Sequence, residues 1–437
     1  MRPGCAGREP FGSRVVAGLP RYGVAGRATR AARGLSGDGM TRASTTVAII
    51  GAGPAGLTLA NLLRRSGVDC VVLELRDRSY VEQRQRAGVL DHYAARIFDE
   101  YGLADEVLAG APMERLLEIR YEGAPRFLNI AELTGGRRSS LVPQQLLVRR
   151  LIGAFTAGGG DLRFEALDIA LHDLDGARPR VTYRDADGMA HELDCSYVAG
   201  CDGFHGVSRR AIPPGALTTY EFDHGIGWFT VLADAPPPRH PLMGVSRHGF
   251  AAQFARGPRA SRFYLQHRPG DDPRQWRDEH TWQQLRLRLG DAALPAGTIT
   301  DRDVVEMRSF VADPMAYGRL YLVGDAAHII TPMGAKGMNL ALADAHVLAR
   351  ALVAAERDGD ETALGAYSAT CLRRTWDYQE FSRWFAEMVH DAGDDTTAGP
   401  FRRQLAKARL DRLFSSPPAA AAFADLMAGT ALVERAS

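Results

Sequence analysis

The chain has 437 residues and a formal net charge of +1, with 46% hydrophobic and 24% charged residues. This length can bury two or three structural units, and the near-zero charge argues against bulk attraction to nucleic acid. The five cysteines are scattered and form no C-x-x-C pair, so neither a disulfide framework nor a metal site is indicated. A reducing cytoplasm is the simplest compartment, and no apolar run looks long enough to span a membrane.

The first 44 residues differ in composition from the rest of the chain. Arginines recur among Gly and Ala, and the only acids before Met40 are Glu9 and Asp38. The segment superficially resembles a transit peptide, but it lacks the apolar core of a signal peptide. Met40 begins a stretch that leads directly into the first predicted strand. We therefore interpret residues 1–44 as a disordered or misassigned leader rather than as a targeting signal.

Beyond the leader, βα segments alternate with strands that look antiparallel. Apolar runs, helical spacing and clusters of aromatic or β-branched residues are the signals used. In chain order they predict a βαβ unit over 47–73, strand-like residues over 116–130, a helix over 144–156, strands over 180–183 and 191–199, an antiparallel sheet over 222–266, a strand over 320–323, a helix over 338–355 and further helices.

This order predicts an α/β fold with α+β insertions. A Rossmann-like nucleotide-binding domain is interrupted by a mixed or antiparallel substrate-binding sheet and followed by a helical C-terminal region. The predicted boundaries are 45–112, 143–215 and 305–355 for the nucleotide-binding domain, 113–142 and 216–304 for the sheet, and 356–437 for the helical region.

The segment Gly51-Ala-Gly53-Pro-Ala-Gly56 carries a dinucleotide-binding fingerprint. It lies between an apolar run and a predicted helix, and Glu74 follows the next apolar run. Gly51 permits the tight turn, Gly53 lets the backbone approach a pyrophosphate, and Gly56 allows close helix–strand packing. Glu74 can accept hydrogen bonds from a ribose hydroxyl. By itself this pattern indicates NAD or FAD.

Two further glycine-centred segments favour FAD. These are Cys201-Asp202-Gly203-Phe-His205-Gly206 and Gly324-Asp325-Ala-Ala-His328. Asp325 follows a strand and is placed to bond a ribityl hydroxyl, and residues 332–339 form a loop that opens a helix. Backbone N–H groups at a helix start favour negative charge, such as that of a reduced flavin. An ordinary β-turn at Gly324 is the alternative, and the spacing to this loop argues against it.

Long ordered matches resemble the single-component FAD-dependent aromatic hydroxylases (group A flavoprotein monooxygenases), with the 4-hydroxybenzoate 3-monooxygenases as the nearest branch. The resemblance runs from about residue 47 to the C-terminal helices. The matching segments are Arg84-Gln-Arg86-Ala-Gly-Val-Leu90, His172-Asp-Leu-Asp-Gly-Ala-Arg-Pro179, Tyr197-Val-Ala-Gly-Cys-Asp-Gly-Phe-His-Gly206 and Gly324-Asp-Ala-Ala-His-Ile-Ile-Thr-Pro-Met-Gly-Ala-Lys-Gly-Met-Asn339.

The resemblance implies two sets of cofactor residues. Beyond those already named, it implies FAD contacts from Ala55, Gln144, Asp202, Gly203, Gly337, Met338 and Asn339, and nicotinamide-nucleotide contacts from Arg84, Arg86, His205 and Arg308. A planar guanidinium suits phosphates and carboxylates. Leu75 and Arg76 stand where the relatives carry Arg and Gln, so the choice between NADPH and NADH stays open.

A hairpin on either side of Gly257-Pro-Arg-Ala-Ser261 predicts a substrate slot. If Arg256 lies opposite Arg262, then Phe254 lies opposite Tyr264, and alternation places all four side chains on one face. An apolar slot with a cationic end suits an aromatic carboxylate, which a guanidinium binds bidentately. An exposed hairpin with ordinary surface arginines is the alternative.

In the resembled family, the match to Arg256 holds the substrate carboxylate with help from the match to Tyr264, and the match to Arg262 positions flavin and substrate. Departures concern the rest of the pocket. Met243 and Leu413 replace a tyrosine pair that draws off the phenol proton, Phe254 replaces a serine, and Met333 replaces a threonine. The ring pocket is therefore predicted to be altered.

The resemblance implies a monooxygenase that uses NADPH or NADH and O2, with oxygen transferred through a flavin C4a-hydroperoxide. We predict as substrate a benzoate with amino or hydroxy substituents, whose ring group the Pro332 carbonyl orients. The alternatives are a 4-hydroxybenzoate 3-monooxygenase itself, a flavin-dependent dehydrogenase or reductase, and a non-catalytic flavoprotein. The predicted partners are the small carboxylate and O2, without nucleic acid or membrane, and a homodimer is implied only by resemblance.

Overall fold

The computed structural model describes residues 34–35, 40–84, 88–267, 271–390 and 398–430. Most of the predicted leader lies outside these residues, as does Arg86. The strand that enters the nucleotide-binding fingerprint begins at Thr41, so the predicted leader boundary at 44 is placed too late. Residues 41–44 pair with residues 191–194 of a neighbouring strand, and Arg42 reaches Glu192 at 3.2 Å. These contacts make the four residues part of the sheet.

The strands in chain order are β1 Gly34–Leu35, β2 Thr41–Ile50, β3 Cys70–Leu73, β4 Val89–Leu90, β5 Met113–Glu114, β6 Leu116–Tyr121, β7 Ala124–Asn129, β8 Ser139–Leu141, β9 Asp161–Arg163, β10 Leu167–His172, β11 Arg180–Arg184, β12 Ala190–Gly200, β13 Thr218–Ala233, β14 Leu242–Ser246, β15 Gly249–Ala255, β16 Ser261–His267, β17 Ile299–Asp313, β18 Ala316–Tyr317, β19 Leu320–Leu322 and β20 His328–Ile329.

The α-helices in chain order are α1 Pro54–Arg65, α2 Arg78–Gln83, α3 His92–Glu100, α4 Ala104–Val107, α5 Ile130–Leu133, α6 Gln144–Ala157, α7 Asp278–Leu289, α8 Lys336–Asp358, α9 Thr362–Gly365, α10 Tyr367–Val389, α11 Ala398–Ser415 and α12 Pro417–Ala428. Short 3-10 turns lie at Arg209–Ala211, Pro273–Gln275, Gly324–Ala326 and Met333–Ala335.

Within the described residues, one sheet of nine strands is built around a parallel core. In this core β9, β3, β2, β12 and β19 lie side by side in parallel, and β10 and β11 extend one edge in antiparallel pairing. Strands β3 and β19 are buried along their whole length, as their continuous apolar runs require. The predicted α/β fold and its first βαβ unit are confirmed.

A second sheet has eight strands in the order β20-β17-β13-β16-β15-β14-β6-β7 and is antiparallel except between β14 and β6. Strand β17 continues to Asp313, so the predicted domain boundary between 304 and 305 falls inside one strand and is misplaced. Likewise, β5 and β8 pair in a separate three-stranded sheet with β4 rather than with the predicted substrate sheet.

Both faces of the eight-stranded sheet are covered. One face packs against α7 through Trp282, Leu285 and Leu289. The other face shares an apolar cluster with the C-terminal helices α10, α11 and α12, whose members include Phe381, Leu413 and Phe423. The helical C-terminal region therefore forms a cover over the face on which the predicted substrate slot lies.

The long helix α8 runs through the interior. Together with the turn before it, over Met333–Asp358, it is long and apolar enough to cross a membrane, and 67% of its most apolar window is buried inside the protein. The prediction that no apolar segment reaches this length is therefore wrong. The burial is that of a core helix, because the apolar side chains are already covered by the protein itself.

A buried ion pair holds the start of α8 in place. The Lys336 ammonium is fully buried and donates to Asp91 Oδ2 at 3.0 Å and to the carbonyl of Met427 at 3.0 Å. Asp91 also caps α3 by accepting from Ala94 N at 3.0 Å. One cation thus connects the first turn of α8, the start of α3 and the end of α12.

We predict that Asp91→Asn lowers the free energy of unfolding by about 3 kcal/mol, because it leaves a buried ammonium without its counter-charge while keeping a side chain that can cap α3. Glu106→Gln is the matched control, since Glu106 pairs with Arg65 at the surface and its loss should cost about 1 kcal/mol or less. Chemical denaturation of both variants measures the difference. Equal losses would contradict a dominant role for the buried pair.

Candidate active site

The three glycine segments meet at the carboxyl ends of β2, β12 and β19. Gly51 has φ +103°, and a Cβ there would lie 2.6 Å from the Cys201 carbonyl oxygen. Gly324 has φ +63°, and its Cβ would lie 2.8 Å from the Cβ of Ala341 and 3.5 Å from that of Ala55. The predicted convergence of the three segments is therefore confirmed, and two of the contacts are too close for any side chain.

The start of α1 leaves room for a phosphate. A Cβ on Gly56 would lie 2.0 Å from the Gly51 carbonyl oxygen, so this glycine is required for helix and strand to pack. Gly53 precedes the helix, and a Cβ there would meet no protein atom within 4 Å. A phosphate can therefore approach the backbone at Gly53, next to a helix start whose first N–H groups have no partner within the helix.

Glu74 lies directly after β3 with its carboxylate fixed by the backbone. Its Oε2 accepts from Ala52 N at 2.7 Å, and its Oε1 accepts from Arg76 N at 2.9 Å. These bonds tie the carboxylate to the glycine turn. Because a carboxylate oxygen can accept a second hydrogen bond, a ribose hydroxyl remains compatible with this arrangement.

Asp202 is largely committed to its own loop. Its Oδ2 accepts from the backbone N–H and the hydroxyl of Ser208 at 2.8 and 3.0 Å, and burial raises the pKa of this carboxyl group. A Cβ on Gly206 would lie 2.0 Å from Asp202 Cγ, which explains that glycine. Asp202 Oδ1 is buried and has no hydrogen-bond partner among the described residues, so its capacity to accept a hydrogen bond is unused there.

Phe204, which the sequence did not identify as a site residue, packs against two neighbouring arginines. The guanidinium of Arg308 lies 4.0 Å and that of Arg209 4.6 Å from its ring centre, whereas His205 is exposed beside it. A cavity of about 370 Å³ opens here, lined by Phe204, Glu221, Phe222, Asp223, Glu306, Met307, Arg308, Ser309 and Phe310. The structure thus brings Arg308 to the Asp202-Gly203 segment, as the nucleotide prediction requires.

The predicted flavin loop ends in the first turn of α8. The Pro332 carbonyl accepts from Ala335 N at 3.0 Å and keeps a second lone pair. Gly337 and Met338 occupy the first turn, where backbone N–H groups have no partner within the helix. This geometry agrees with the predicted anion-stabilising helix start. Asp325, which precedes this loop in the sequence, is half-buried.

The side-chain contact predicted between Asn339 and the flavin is not supported. Its amide nitrogen donates to the carbonyls of Val89 and Ala335 at 3.0 and 2.6 Å, and its amide oxygen accepts from Asp91 N at 3.0 Å. Both N–H donors are therefore used, one to join α8 to β4 and the other within the start of α8. The role is structural, and it could not be read from sequence because the partner residues are about 250 positions away.

The remaining predicted nucleotide residues lie at element ends. Gln144 is the first residue of α6 and is half-buried. Arg84 follows α2 and is exposed. Neither side chain makes a hydrogen bond or ion pair to another described residue, so both are available to a ligand. Arg86 lies outside the described residues.

The substrate hairpin forms with a register two residues from the predicted one. Phe254 lies opposite Arg262, and Ala252 lies opposite Tyr264. The reason is a tighter turn, in which Arg256 N donates to the carbonyl of Ala260 at 2.8 Å. A shift of two residues preserves the face of every side chain, so the predicted shared face is confirmed while the predicted pairing is wrong.

This face combines aromatic rings with two cations. Tyr264 is buried, with its ring centre 4.7 Å from Trp228 and 5.7 Å from Phe254. Arg262 is 9% exposed and donates to the Thr230 hydroxyl at 3.1 Å. Arg256 is half-buried at the end of the strand. Among the described residues, the Arg256 guanidinium has no hydrogen-bond or ion-pair acceptor and Arg262 has no acidic partner.

The far part of the same cluster is apolar. Met243, Met333 and Leu413 are 6%, 1% and 1% exposed and belong to one buried cluster with Tyr264. Ser382 donates its hydroxyl to the Met333 carbonyl at 2.9 Å. These three of the four side chains that replace hydroxyl-bearing residues of the resembled family thus belong to one apolar cluster, and none of them can accept or pass on a proton.

Sequence reasoning missed three polar contributors to this region, Thr230, His390 and Lys336. Thr230 sits opposite Tyr264 in the register of β13 and β16, and strand alternation around Trp228 could have placed it on this face. His390 bonds the indole of Trp228 at 2.7 Å across 162 positions of chain, which no local pattern predicts. Within the described residues no group of three His, Cys, Asp or Glu side chains could hold a metal ion.

Comparison with known proteins identifies a family. The family model described as an FAD binding domain matches residues 44–382. A p-hydroxybenzoate hydroxylase of Acinetobacter baylyi is 34% identical over 381 residues, which cover 86% of this chain and 93% of that protein. The chain belongs to the FAD-dependent aromatic hydroxylases. The predicted family and its FAD cofactor are confirmed.

Other proteins that are similar to this chain differ from it in length or share only its fold. A 3-(3-hydroxy-phenyl)propionate/3-hydroxycinnamic acid hydroxylase of Mycolicibacterium gilvum is 30% identical over 72% of the chain, which spans 55% of that protein. The p-nitrophenol 4-monooxygenase PnpA of Pseudomonas putida DLL-E4 superposes with a TM-score of 0.74 at 20% identity, covering 87% of this chain and 97% of that one. At such low identity this likeness shows the fold alone.

We predict that Gly56→Ala impairs the packing of helix against strand, whereas Gly53→Ala impairs the binding of FAD. Gly56→Ala should destabilise the FAD-free hydroxylase by about 2 kcal/mol or more, because its Cβ collides with backbone. Gly53→Ala meets no protein atom and has an ordinary φ of −76°, so it should leave the FAD-free melting temperature unchanged and weaken FAD binding. Thermal melts and flavin fluorescence titration measure the two effects. Undiminished FAD affinity in Gly53→Ala would contradict a close approach of the cofactor there.

Proposed function

We propose that this hydroxylase inserts one oxygen atom of O2 into the ring of an aromatic carboxylate. The observation that carries the proposal is the Arg262 guanidinium, which is 9% exposed and has the Thr230 hydroxyl as its partner but no acidic partner among the described residues. A buried cation is costly unless an opposite charge meets it. A substrate carboxylate supplies that charge.

The neighbouring side chains suit the same ligand. Arg256 offers a second guanidinium at the end of the strand, and Tyr264 offers a hydroxyl beside Arg262. Phe254 and Trp228 provide aromatic surfaces against which a benzene ring can pack. We infer that Arg256 and Tyr264 hold the carboxylate, that Arg262 neutralises it, and that the aromatic rings enclose the substrate ring.

The opposite end of the slot indicates which ring is accepted. Met243, Met333 and Leu413 form a buried apolar surface that has no group for removing a phenol proton. We therefore propose a benzoate whose ring is already electron-rich, with amino or amino and hydroxy substituents. The free lone pair of the Pro332 carbonyl accepts a hydrogen bond from such an NH2 or OH group and orients the ring.

The overall reaction converts a ring C–H to C–OH and releases the second oxygen atom as water, and it takes a hydride from NADPH or NADH and one proton from the solvent. When bound, FAD supplies electron transfer and oxygen activation. Gly53 and the first turns of α1 and α8 accommodate its negatively charged parts, and Glu74, Asp202 and Asp325 meet its hydroxyl groups. Arg84, His205 and Arg308 receive the nicotinamide nucleotide, and α10–α12 exclude water from the slot.

A 4-hydroxybenzoate 3-monooxygenase remains the second candidate, favoured by the 34% identity to the p-hydroxybenzoate hydroxylase. The third, a flavin-dependent dehydrogenase or reductase, would need no carboxylate slot and no O2. A homodimer in a cytoplasmic setting stays a prediction for all three. Product mass under 18O2 separates the oxygenase candidates from the third, because only a monooxygenase gains one labelled oxygen atom.

We predict that Arg262→Met and Arg256→Met each raise KM for the responsive benzoate about 100-fold, as expected when a buried charge pair loses one partner. Arg259→Met, in the exposed turn of the same hairpin, is the matched control and should change KM little. NADPH and NADH oxidation is measured across substituted benzoates and their uncharged amides, together with product and peroxide. Equal responses to acids and amides would contradict the carboxylate slot, and rapid conversion of 4-hydroxybenzoate to the 3,4-diol would favour the second candidate.

A further inference from the structure

His390 is a buried histidine that follows the last residue of α10 and is 5% exposed. Its Nδ1 lies 2.9 Å from the Ala386 carbonyl oxygen, which can only accept, so Nδ1 carries a proton. The indole N–H of Trp228 donates to Nε2 at 2.7 Å, so Nε2 carries none. The two bonds fix a single neutral tautomer, and burial lowers the pKa of His390 to about 4, which keeps it neutral near pH 7.

From His390 an unbroken series of ring contacts leads into the substrate slot. Phe250 lies 4.5 Å from the imidazole and is stacked 5.6 Å from Trp228. Trp228 contacts Tyr264 at 4.7 Å, and Tyr264 meets Phe254 edge-on at 5.7 Å. These residues stand on the sheet face that carries Arg262, so they form the aromatic wall of the slot.

The hydrogen bond from Trp228 determines how this wall is oriented. Trp228 is 5% exposed, and rotation of its ring away from His390 would leave a buried indole N–H unpaired, which is costly. Tyr264 packs directly on that ring, so its own position depends on the same bond. His390, at the end of α10, therefore influences the carboxylate end of the slot through the side chains of Trp228 and Tyr264.

We propose that His390 is a positioning residue for substrate binding, which holds Trp228 and thereby Tyr264 in the geometry that receives the aromatic carboxylate. This inference rests on the proposed function. It assigns to the end of α10 a part in substrate affinity that its sequence position, outside the glycine segments and outside the hairpin, does not suggest.

Two substitutions of His390 distinguish positioning from mere stability. The side chain of His390→Gln is long enough to place an acceptor near the former Nε2, whereas that of His390→Asn can replace only the Nδ1 donor to Ala386. We expect His390→Asn to raise KM for the responsive benzoate about tenfold, His390→Gln to raise it about twofold or less, and kcat to change little in either variant. Melting temperature and FAD content are measured alongside, because both variants disturb packing to a similar degree.

Trp228→Phe completes a double-mutant cycle. If His390 acts through Trp228, the double variant Trp228→Phe with His390→Asn has a KM within about twofold of the worse single variant, rather than the product of both effects. Equal KM values for His390→Asn and His390→Gln, with only the melting temperature lowered, would overturn the proposal. A wild-type enzyme that responds to no aromatic carboxylate would overturn the proposed function, and this inference with it; a normal wild-type response with unaffected variants would overturn the inference alone.

Discussion

The close approach of three backbone segments is the constraint on which the rest of the structure depends. A Cβ on Gly56 would collide with the carbonyl of Gly51, one on Gly51 with the carbonyl of Cys201, and one on Gly324 with Ala341 of α8. Because none of these contacts leaves space for a side chain, strands β2, β12 and β19 can end side by side, with the start of α1 packed on the end of β2. This arrangement suits a dinucleotide site, since the first N–H groups of a helix have no partner within the helix and a Cβ on Gly53 would meet no protein atom.

Two buried cations differ in whether the protein itself supplies their counter-charge. Lys336 is paired with Asp91 and a backbone carbonyl, and this pair fixes the start of the helix that faces the flavin site. Arg262 is also buried, at 9% exposed, yet its partner is the Thr230 hydroxyl and it has no acidic partner in the described part of the chain. The cation that is satisfied internally holds the fold, whereas the one that lacks a counter-charge is the one we propose to receive an anionic ligand.

Much of the site could be predicted because its signals are local. The glycine spacing, the acid after β3 and the alternation in the hairpin each act within a few residues, and the structure reproduces the turn, the helix start and the shared face. One error arose where a distant partner decides, and two arose where a turn is tighter or a strand longer than predicted. Asn339 binds Val89 and Asp91, the register of the hairpin depends on a hydrogen bond within its turn, and β17 stays in its sheet beyond the predicted boundary.

The sequence by itself determined the family, the flavin and the residue types of the slot, because those depend on spacing and on side-chain chemistry. Only the tertiary structure decided which cation lacks a counter-charge, which helices cover the substrate face of the sheet, and that His390 at the end of α10 bonds Trp228 on β13. The physical reason is that burial and hydrogen-bond satisfaction belong to neighbours in space. The residues that supply them here come from strands and helices far apart in the chain, and no local pattern records their meeting.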